Sequence, residues 1–410
     1  MKKIYFIVTP FDKNRFSGGS IAVMKYISGL KNLGWDISII PIAPSVESGW
    51  FDKYDTFTFI QTKVNKKILI QSLILTIQSL IRYFIFRKYK IKSQLKKQLT
   101  HTFEIILTFF YNYIPNSSRR SVWAFFLKNI NFTDTLIIST TYETTYALES
   151  LSIKNYYWFM MHDERLFFQD FENVPILNMD AIATYNNVSK VITNSSWLLN
   201  KLKNEFPNKK YFLCLNALED EFIVPNNINR KRSESSFNII SYAGRGAKWK
   251  GFDDMYNGFV MAVKKRPEIN FKWRVYGMEN NSDNIIEENP NITRLGFISN
   301  NDLKYEYINS DVMLSASYYE SFPLFPLEAM GMGTAVISTI FGCEDYLAHK
   351  INGYVIQPKS PEDICDALIF LAENDLMRKQ LITNGYQTVK NYNWNNSVNN
   401  LNKILSNNKL

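Results

Sequence analysis

The sequence predicts an α/β protein with two doubly wound domains, each built on a parallel sheet. Short apolar stretches alternate with longer amphipathic ones along the chain, which is the pattern of repeated strand–helix–strand units. The chain has 410 residues, more than one typical core accommodates. Apolar residues make up 46% of it and aromatic residues 15%, so it can bury large cores and is not a disordered chain.

The first unit reads as strand, glycine loop, helix and strand over residues 3–43. Its segments are KIYFIVTP, FDKNRFSGGS, IAVMKYISGLKNLGW and DISIIPIA. The opening apolar run is too short for a signal peptide and Asp12 follows it closely, so we interpret it as a buried first strand. Further strands of this half are predicted at 135–140, 156–161, 190–195 and 211–216.

A polar, charged stretch at 226–236 predicts a linker, and a second strand–loop–helix series follows it. Its strands are FNIISYAG, FKWRVYG, DVMLSAS and TAVISTI, and helices are predicted at 251–265 and 361–373. The predicted domains are therefore 1–230 and 231–393. Residues 394–410 form a last helical segment that is expected to pack back on the first domain.

The net charge of +9 is unevenly distributed and indicates a partner rather than a fold. Residues 63–97 carry ten lysines and arginines and no acidic residue, within a basic amphipathic insertion at about 63–130. Inside it, the apolar stretch 68–86 has three interpretations: a buried helix, a helix in the membrane interface, or a spanning helix. The last is the least favoured, because it would interrupt the first parallel sheet.

The three cysteines, Cys214, Cys343 and Cys365, are widely spaced and form no Cys-x-x-Cys pair. This spacing argues against a zinc site or a disulfide framework and fits a reducing cytoplasm. Together with the basic segment, it predicts a cytoplasmic protein that contacts the inner face of an anionic membrane at its periphery.

Two glycine-containing loops are candidate phosphate sites. Gly18 and Gly19 follow the first strand and open a helix, whose N-terminus favours phosphate, although a plain tight turn explains them equally. They do not match Gly-x-Gly-x-x-Gly, so a nicotinamide dehydrogenase loses support. In SYAGRGAKWKGFDD, Arg245 and Lys250 follow a strand between glycines, an arrangement that suits a diphosphate better than solvated surface cations.

Glu320 and Glu328 flank a stiff apolar turn in YYESFPLFPLEAMGMG. Glu328 is predicted in the first turn of a helix, where it would complement the helix dipole, but that leaves Glu320 unexplained. Backbone N–H groups between residues 322 and 325 would face a phosphate at the helix start. Because Pro323 and Pro326 lack N–H groups, the donors are those of Leu324 and Phe325.

ESFPLFPLEAM resembles the Glu-x7-Glu signature of retaining glycosyltransferases of family 4, which have the two-domain GT-B fold. GRGAKWKGFDD is similar to the Gly-Arg…Lys-Gly phosphate clamp of that family, and Gly18-Gly19 to its N-terminal glycine loop. KVITNSSWLLNKL and LNALEDEFIVP resemble further segments, with Ala217 where glycine is usual. The resemblance is strong over 237–390 and weaker over 1–225, and residues 50–130 match nothing in it.

The resemblance implies two Rossmann-like domains facing a central cleft that binds a nucleoside-diphosphate sugar, without a metal, another cofactor or a protein nucleophile. Arg245 and Lys250 would neutralise the diphosphate, and Lys248 could share the role of Lys250. Glu328 would bind the ribose hydroxyls and Glu320 would face the donor sugar. The segment holding the phosphate and sugar oxygens would be Ser321, Phe322, Leu324 and Phe325. Pro323 stands where the family often has glycine.

His162 directly follows an apolar strand in WFMMHDERLFFQDFE. A satisfied core histidine is one interpretation. Its position also resembles that of the family's N-domain histidine near the donor sugar, which would make it catalytic. The segment HDERLFFQDFE is similar to a segment of rhamnosyltransferases that build bacterial surface glycans. The implied acceptor is a glycan or a lipid-linked saccharide, and no nucleic-acid partner is expected.

Three other functions compete with sugar transfer. A glycosidase would use Glu320 and Glu328 as acid and base, although the cations beside them favour a nucleotide. A GT-B sugar-nucleotide epimerase would share the donor site. A non-catalytic membrane-associated protein would keep the fold and use the basic segment 63–97.

Overall fold

The computed structural model describes residues 2–11, 18–42, 58–60, 124, 127–168, 182–224, 235–244, 247–277 and 289–407. The chain forms two compact units. Unit 1 comprises residues 1–192, 203–212 and 402–410, and unit 2 comprises residues 193–202 and 213–401. The predicted boundaries at 230 and 393 stay a prediction.

A seven-stranded sheet organises the N-terminal half, with the strand order β3-β2-β1-β4-β5-β6-β7. The strands are β1 (Lys3–Val8), β2 (Asp36–Pro41), β3 (Thr58–Phe59), β4 (Leu136–Ser139), β5 (Tyr157–Met160), β6 (Lys190–Thr193) and β7 (Lys210–Leu213). β1 pairs in parallel with β2 and β4. Successive strands are added on one side of β1 up to β3 and on its other side from β4 onwards, so the strand order reverses between β1 and β4, as in a doubly wound fold.

Strand β1 is buried over Ile4–Val8, which confirms the interpretation of the first apolar run as a core strand. The helices of this half are α1 (Gly18–Asn32), α2 (Tyr142–Ser150) and α3 (Ser196–Glu205), and residues 182–187 are also helical. Helix α2 begins at Thr141, whose side chain accepts from the N–H of Thr144 in a capping box. Helix α1 begins at Gly18, as the glycine loop predicted.

A six-stranded parallel sheet forms the core of unit 2, with the order β10-β9-β8-β11-β12-β13. Its strands are β8 (Phe237–Tyr242), β9 (Phe271–Tyr276), β10 (Ile292–Gly296), β11 (Val312–Ser315), β12 (Ala335–Thr339) and β13 (Tyr354–Ile356). The helices of the C-terminal half are α4 (Phe252–Lys265), α5 (Asn300–Asn309), α6 (Leu324–Gly331), α7 (Pro361–Glu373), α8 (Asp375–Val389) and α9 (Trp394–Asn407), the last of which passes from unit 2 into unit 1.

Alternate residues of the unit 2 strands point to opposite faces of the sheet, and each face is covered by helices. Ile239 packs in one buried cluster with Phe259 of α4, whereas its neighbour Ile240 packs in another with Tyr307 of α5 and Leu327 of α6. This period-two burial follows from strand geometry. The predicted α/β fold class with two doubly wound sheets is confirmed.

Helix α9 agrees closely with the helical stretch predicted near the C-terminus. Asn402 near its end accepts a hydrogen bond from the indole N–H of Trp35 at 2.9 Å, within unit 1. Lys2 Nζ donates to Ser406 Oγ at 3.1 Å in the same unit. Most of the predicted linker, and all of the segments 63–97 and 68–86, lie outside the described residues. Among the described helices, none is long and apolar enough to cross a membrane.

Candidate functional site

The strand order of unit 2 places its reversal point between β8 and β11. In doubly wound sheets, the connections leave such a pair of strands towards opposite faces, which opens a crevice at their carboxyl ends where ligands bind. The loop after β8 carries Lys250 and the loop after β11 carries Glu320. The topology therefore brings two of the predicted site residues to one place.

Two glycines shape the loop after β8. Gly244 has φ +84°, and a Cβ there would lie 2.6 Å from Lys250 Cβ, so glycine lets the lysine side chain cross the loop. Gly251 has φ +69°, and a Cβ there would lie 2.2 Å from the carbonyl oxygen of Ala316, just beyond the end of β11. The backbones of the two loops are thus in contact, and this contact fixes the position of the Lys250 backbone.

The side chains of Lys250 and Glu320 form an ion pair, and each keeps a minor share of its surface in solvent, 19% and 13%. Ser317 Oγ donates to the paired oxygen, Glu320 Oε1, at 3.3 Å. The ammonium group also lies 5.7 Å from the ring centroid of Tyr242. A small pocket adjoins the pair and is lined by Tyr242, Lys250, Met255, Met313, Leu314, Ser315, Ser317, Glu320, Pro323, Phe325 and Pro326.

Helix α6 begins at Leu324, with Pro323 as its N-cap residue. The first N–H groups of a helix have no carbonyl partner inside it, so those of Leu324 and Phe325 remain as donors at this end. The prediction that Glu328 lies in the first turn is wrong: it is the fifth helical residue. The prolines explain the difference, because proline is tolerated in a first turn and extends the helix backwards from Glu328.

Side chains of neighbouring elements hold the residues between Glu320 and Glu328 in place. Ser321 is buried, and its hydroxyl donates to the side-chain oxygen of Asn194. Phe322 is buried with its ring centroid 5.4 Å from that of Tyr346, whose hydroxyl donates to the carbonyl oxygen of Pro323 at 2.6 Å. These contacts hold the turn in place without using the N–H groups of Leu324 and Phe325.

Leu324 and Phe325 are both partly buried. The Phe325 ring lies against Tyr242 and Tyr276, with centroids 4.6 Å and 5.7 Å apart. The first turn of α6 is therefore packed on aromatic residues at the ends of β8 and β9. This packing sets the direction in which the helix N-terminus points.

Glu328 is partly buried. The pKa of its carboxyl is raised to about 8, mainly by burial and to a smaller extent by the nearby Glu219 and Glu221, whereas a hydrogen bond from the hydroxyl of Tyr307 lowers it. That hydroxyl lies 3.3 Å from Glu328 Oε2. No ion pair of Glu328 exists among the described residues.

Gly18, Gly19 and His162 belong to unit 1. A Cβ at Gly18 would meet none of the described residues within 4 Å, and its φ is not in the left-handed region, so these residues do not require glycine there. Gly19 is the second residue of α1. His162 follows β5 and is half-buried, with Nδ1 3.0 Å from the carbonyl oxygen of Asp163. Arg245 lies outside the described residues.

Several residues that complete this arrangement have no signal in the sequence. Gly342 has φ +82°, and a Cβ there would lie 2.5 Å from the carbonyl oxygen of Glu320, so it supports that loop from the next connection. Tyr307 lies on an apolar helix face, where the pattern of the sequence predicts a core residue only. Ser317 lies two residues after the end of β11, and a search for polar residues near strand ends could have found it.

Known proteins resemble parts of this chain. Residues 224–388 match the family described as Glycosyl transferases group 1. An uncharacterized glycosyltransferase of Methanocaldococcus jannaschii is 26% identical over 236 residues, which are 53% of this chain and 60% of that protein. The N,N'-diacetylbacillosaminyl-diphospho-undecaprenol alpha-1,3-N-acetylgalactosaminyltransferase of Campylobacter jejuni is 29% identical over 197 residues, 46% of this chain and 48% of that protein. The chain thus spans about half to three-fifths of these relatives.

Among solved structures, HepE of Anabaena in complex with UDP superposes with a TM-score of 0.68 at 12% identity, over 99% of this chain and 100% of that one. At this identity the likeness concerns the fold, which is GT-B. The β8 and β11 loops, helix α6, and the residues Lys250, Glu320 and Glu328 all lie inside the matched segment. These elements and residues are therefore those that this chain shares with the Glycosyl transferases group 1 family, to which residues 224–388 are similar.

Proposed function

We propose that the chain is a retaining, metal-independent glycosyltransferase of family 4. It would move a sugar from a nucleoside diphosphate to the hydroxyl group of an acceptor. The single observation that carries the proposal is the meeting of Lys250 and Glu320 at the reversal point of the unit 2 sheet, beside the first N–H groups of α6. A cation, a carboxylate and free backbone donors in one crevice suit a diphosphate joined to a polyhydroxylated group.

The cation supplies electrostatic stabilisation of the leaving group. As the bond from the anomeric carbon to the diphosphate breaks, negative charge grows on the diphosphate and the sugar becomes oxocarbenium-like. Lys250, the start of α6 and, by the sequence, Arg245 would meet that charge with groups already oriented. When the donor binds, Lys250 would pair with a phosphate oxygen in place of the Glu320 carboxylate, because an ammonium group donates to either kind of oxygen.

The two glutamates differ in surroundings and therefore in role. Glu320 is held by a cation and a serine hydroxyl and would face hydroxyl groups of the donor sugar. Glu328 lies one turn deeper along α6 with a tyrosine as partner and would bind the ribose hydroxyls. Phosphate oxygens would then lie between them, along Ser321, Phe322, Leu324 and Phe325.

Unit 1 would supply the remaining roles. His162, at the carboxyl end of β5, would face the reacting sugar, and Gly18 and Gly19 would allow a ligand to approach the start of α1 closely. The surroundings of Gly18 support this role, because among the described residues nothing lies within 4 Å of a Cβ built there.

We further propose a glycan or a lipid-linked saccharide as acceptor and a place in bacterial surface-glycan synthesis, with rhamnose as the first donor sugar to test. The Campylobacter relative carries a diphospho-undecaprenol substrate in its name, which supports a lipid-linked acceptor. The basic segment 63–97 would bring the protein to the anionic inner face of the cytoplasmic membrane, where such acceptors are held.

A donor screen followed by product analysis tests the proposal. A panel of nucleotide sugars is scored by thermal shift, and the stabilising donor is incubated with undecaprenol-linked saccharides in the presence of a chelator. NMR of the product should show the donor's anomeric configuration. Release of free sugar without acceptor would indicate a hydrolase, a changed nucleotide sugar an epimerase, and no binding of any donor a non-catalytic protein.

A further inference from the structure

Two buried tyrosines form a hydrogen-bonded chain that ends on Glu328. The hydroxyl groups of Tyr276 and Tyr307 are 2.9 Å apart, and the hydroxyl of Tyr307 donates to Glu328 Oε2 at 3.3 Å. Tyr307 is fully buried and Tyr276 is 5% exposed. Three polar groups from β9, α5 and α6 are thus joined inside an otherwise apolar cluster.

This chain of hydroxyl groups has a direction. A tyrosine hydroxyl has one proton, so when Tyr307 donates to the carboxylate, it must accept from Tyr276. The backbone of Tyr307 is fixed as well, because its carbonyl oxygen accepts from the Thr334 hydroxyl. Tyr276 packs edge-on against Phe325 in the first turn of α6. This chain of hydroxyl groups therefore connects the packing of the first turn of α6 to the orientation of the Glu328 carboxylate.

We propose that Tyr307, supported by Tyr276, is a positioning residue that aims the Glu328 carboxylate at a vicinal diol of the bound ligand. This inference rests on the proposed function, which makes that diol the ribose of a nucleotide. Oε2 is tethered by Tyr307, which fixes the plane of the carboxylate. Its outward-facing lone pairs then accept from two neighbouring hydroxyl groups, an arrangement that a freely rotating side chain would adopt only part of the time.

The remaining charges around Glu328 make ligand binding depend on protonation. Glu219 precedes the short helical turn 220–222 that packs against α6, and Glu221 is the second residue of that turn. Lys304 and Asn300 of α5 are hydrogen-bonded to Glu221. Burial and, to a smaller extent, Glu219 and Glu221 raise the pKa of Glu328 to about 8, although the hydrogen bond from Tyr307 lowers it. The ionised carboxylate accepts from two hydroxyl groups more strongly than the protonated form does, so affinity should rise with pH towards about 8 and level off above it.

Removing the Tyr307 hydroxyl takes away a bond to the ionised carboxylate. Tyr307→Phe should therefore weaken binding about tenfold and move the midpoint of its pH dependence upward. Tyr156→Phe is the matched control, because Tyr156 in unit 1 is also buried and also donates to a glutamate, Glu149, at 3.0 Å. The control should leave both affinity and midpoint unchanged.

The experiment titrates UDP, GDP, ADP and 2'-deoxy-UDP into the full-length chain by calorimetry from pH 6 to 9. Subtracting the profile of Glu328→Gln cancels the titration of the nucleotide phosphates. Wild type should prefer UDP to 2'-deoxy-UDP, and this preference should shrink in both Glu328→Gln and Tyr307→Phe. Lys250→Ala should leave the preference for UDP over 2'-deoxy-UDP unchanged, because Lys250 is proposed to contact the phosphates.

Each outcome decides a separate claim. Binding with a midpoint that is equal in wild type and Tyr307→Phe would overturn the positioning role while leaving the nucleotide site intact. Binding of none of the nucleotides by wild type would overturn the proposed function itself. If Tyr307→Phe does not fold, Tyr276→Phe should shift the midpoint in the same direction by a smaller amount, and an unshifted midpoint there would overturn the role as well.

Discussion

Lys250 and Glu320 are ion-paired across the reversal point of the unit 2 sheet, although 70 residues separate them in the chain. Gly244 and Gly251 make the pair possible, because each lies where a side chain would collide with the neighbouring loop or with Lys250 itself. A cation committed to a carboxylate in the ligand-free protein is ready to exchange that carboxylate for phosphate.

Glu320→Gln should lower turnover about tenfold or more while leaving nucleoside-diphosphate affinity unchanged or tighter. The amide loses the charge that faces the sugar and also releases Lys250 for phosphate. Steady-state kinetics and calorimetry on the same preparation separate the two effects. Wild-type turnover in the variant would remove Glu320 from the reaction.

Gly18→Ala should keep or slightly raise stability, since alanine favours a helix over glycine by about 0.5–1 kcal/mol and none of the described residues lies within 4 Å of the new Cβ. Transfer activity should nevertheless fall, because the methyl group occupies space proposed for a ligand. Melting temperature and initial rate are measured together. Unchanged activity would make Gly18 an ordinary helix start.

Gly251→Ala should lower the melting temperature more than Gly34→Ala. Both positions have positive φ, which costs a non-glycine residue about 1–2 kcal/mol, but only the Cβ at 251 would collide with a backbone oxygen, at 2.2 Å, whereas nothing lies within 4 Å of one at 34. Thermal unfolding followed by circular dichroism gives the comparison. Equal losses in the two variants would mean that the contact with Ala316 is not a constraint on the loop.

The segment 63–97 should mediate binding to anionic liposomes, and that binding should weaken as salt is raised. Co-sedimentation with phosphatidylglycerol vesicles at two salt concentrations measures the effect. Replacing the paired basic residues Lys96 and Lys97 with glutamine should reduce binding, while Lys264→Gln and Lys265→Gln on α4 serve as charge-matched controls. Absence of vesicle binding at low salt would leave the basic segment without a membrane role.

Periodicity and loop composition predicted much of the fold. The apolar run at 3–8, the glycine-opened helix α1 and the helices near 251–265 and 361–373 all occur where the sequence places them. Strands β10 and β13 were not predicted as separate strands. β13 has three residues, and β10 contains Thr293 and Arg294, which break the apolar signal that identifies a buried strand.

The sequence predicts which residues belong to the candidate site better than it predicts how they are arranged. Lys250 and Glu320 were selected for different ends of a ligand, and nothing in their spacing indicates that they meet. The sequence predicts Glu328 in the first turn of a helix, whereas α6 begins four residues earlier, with Pro323 as its N-cap residue and Pro326 in its first turn. Tyr307 has the same pattern as a core tyrosine, since hydrogen bonding through a buried hydroxyl leaves no periodic signal.

Calorimetric titration of nucleoside diphosphates into wild type, Lys250→Ala and Lys248→Ala tests the central claim most directly. Lys248 is exposed two residues away from Lys250 and controls for a general loss of positive charge. The account predicts that Lys250→Ala binds about 10–100-fold more weakly than wild type, the worth of a charge-assisted contact, and that Lys248→Ala binds as wild type does. Equal affinity of wild type and Lys250→Ala would contradict it.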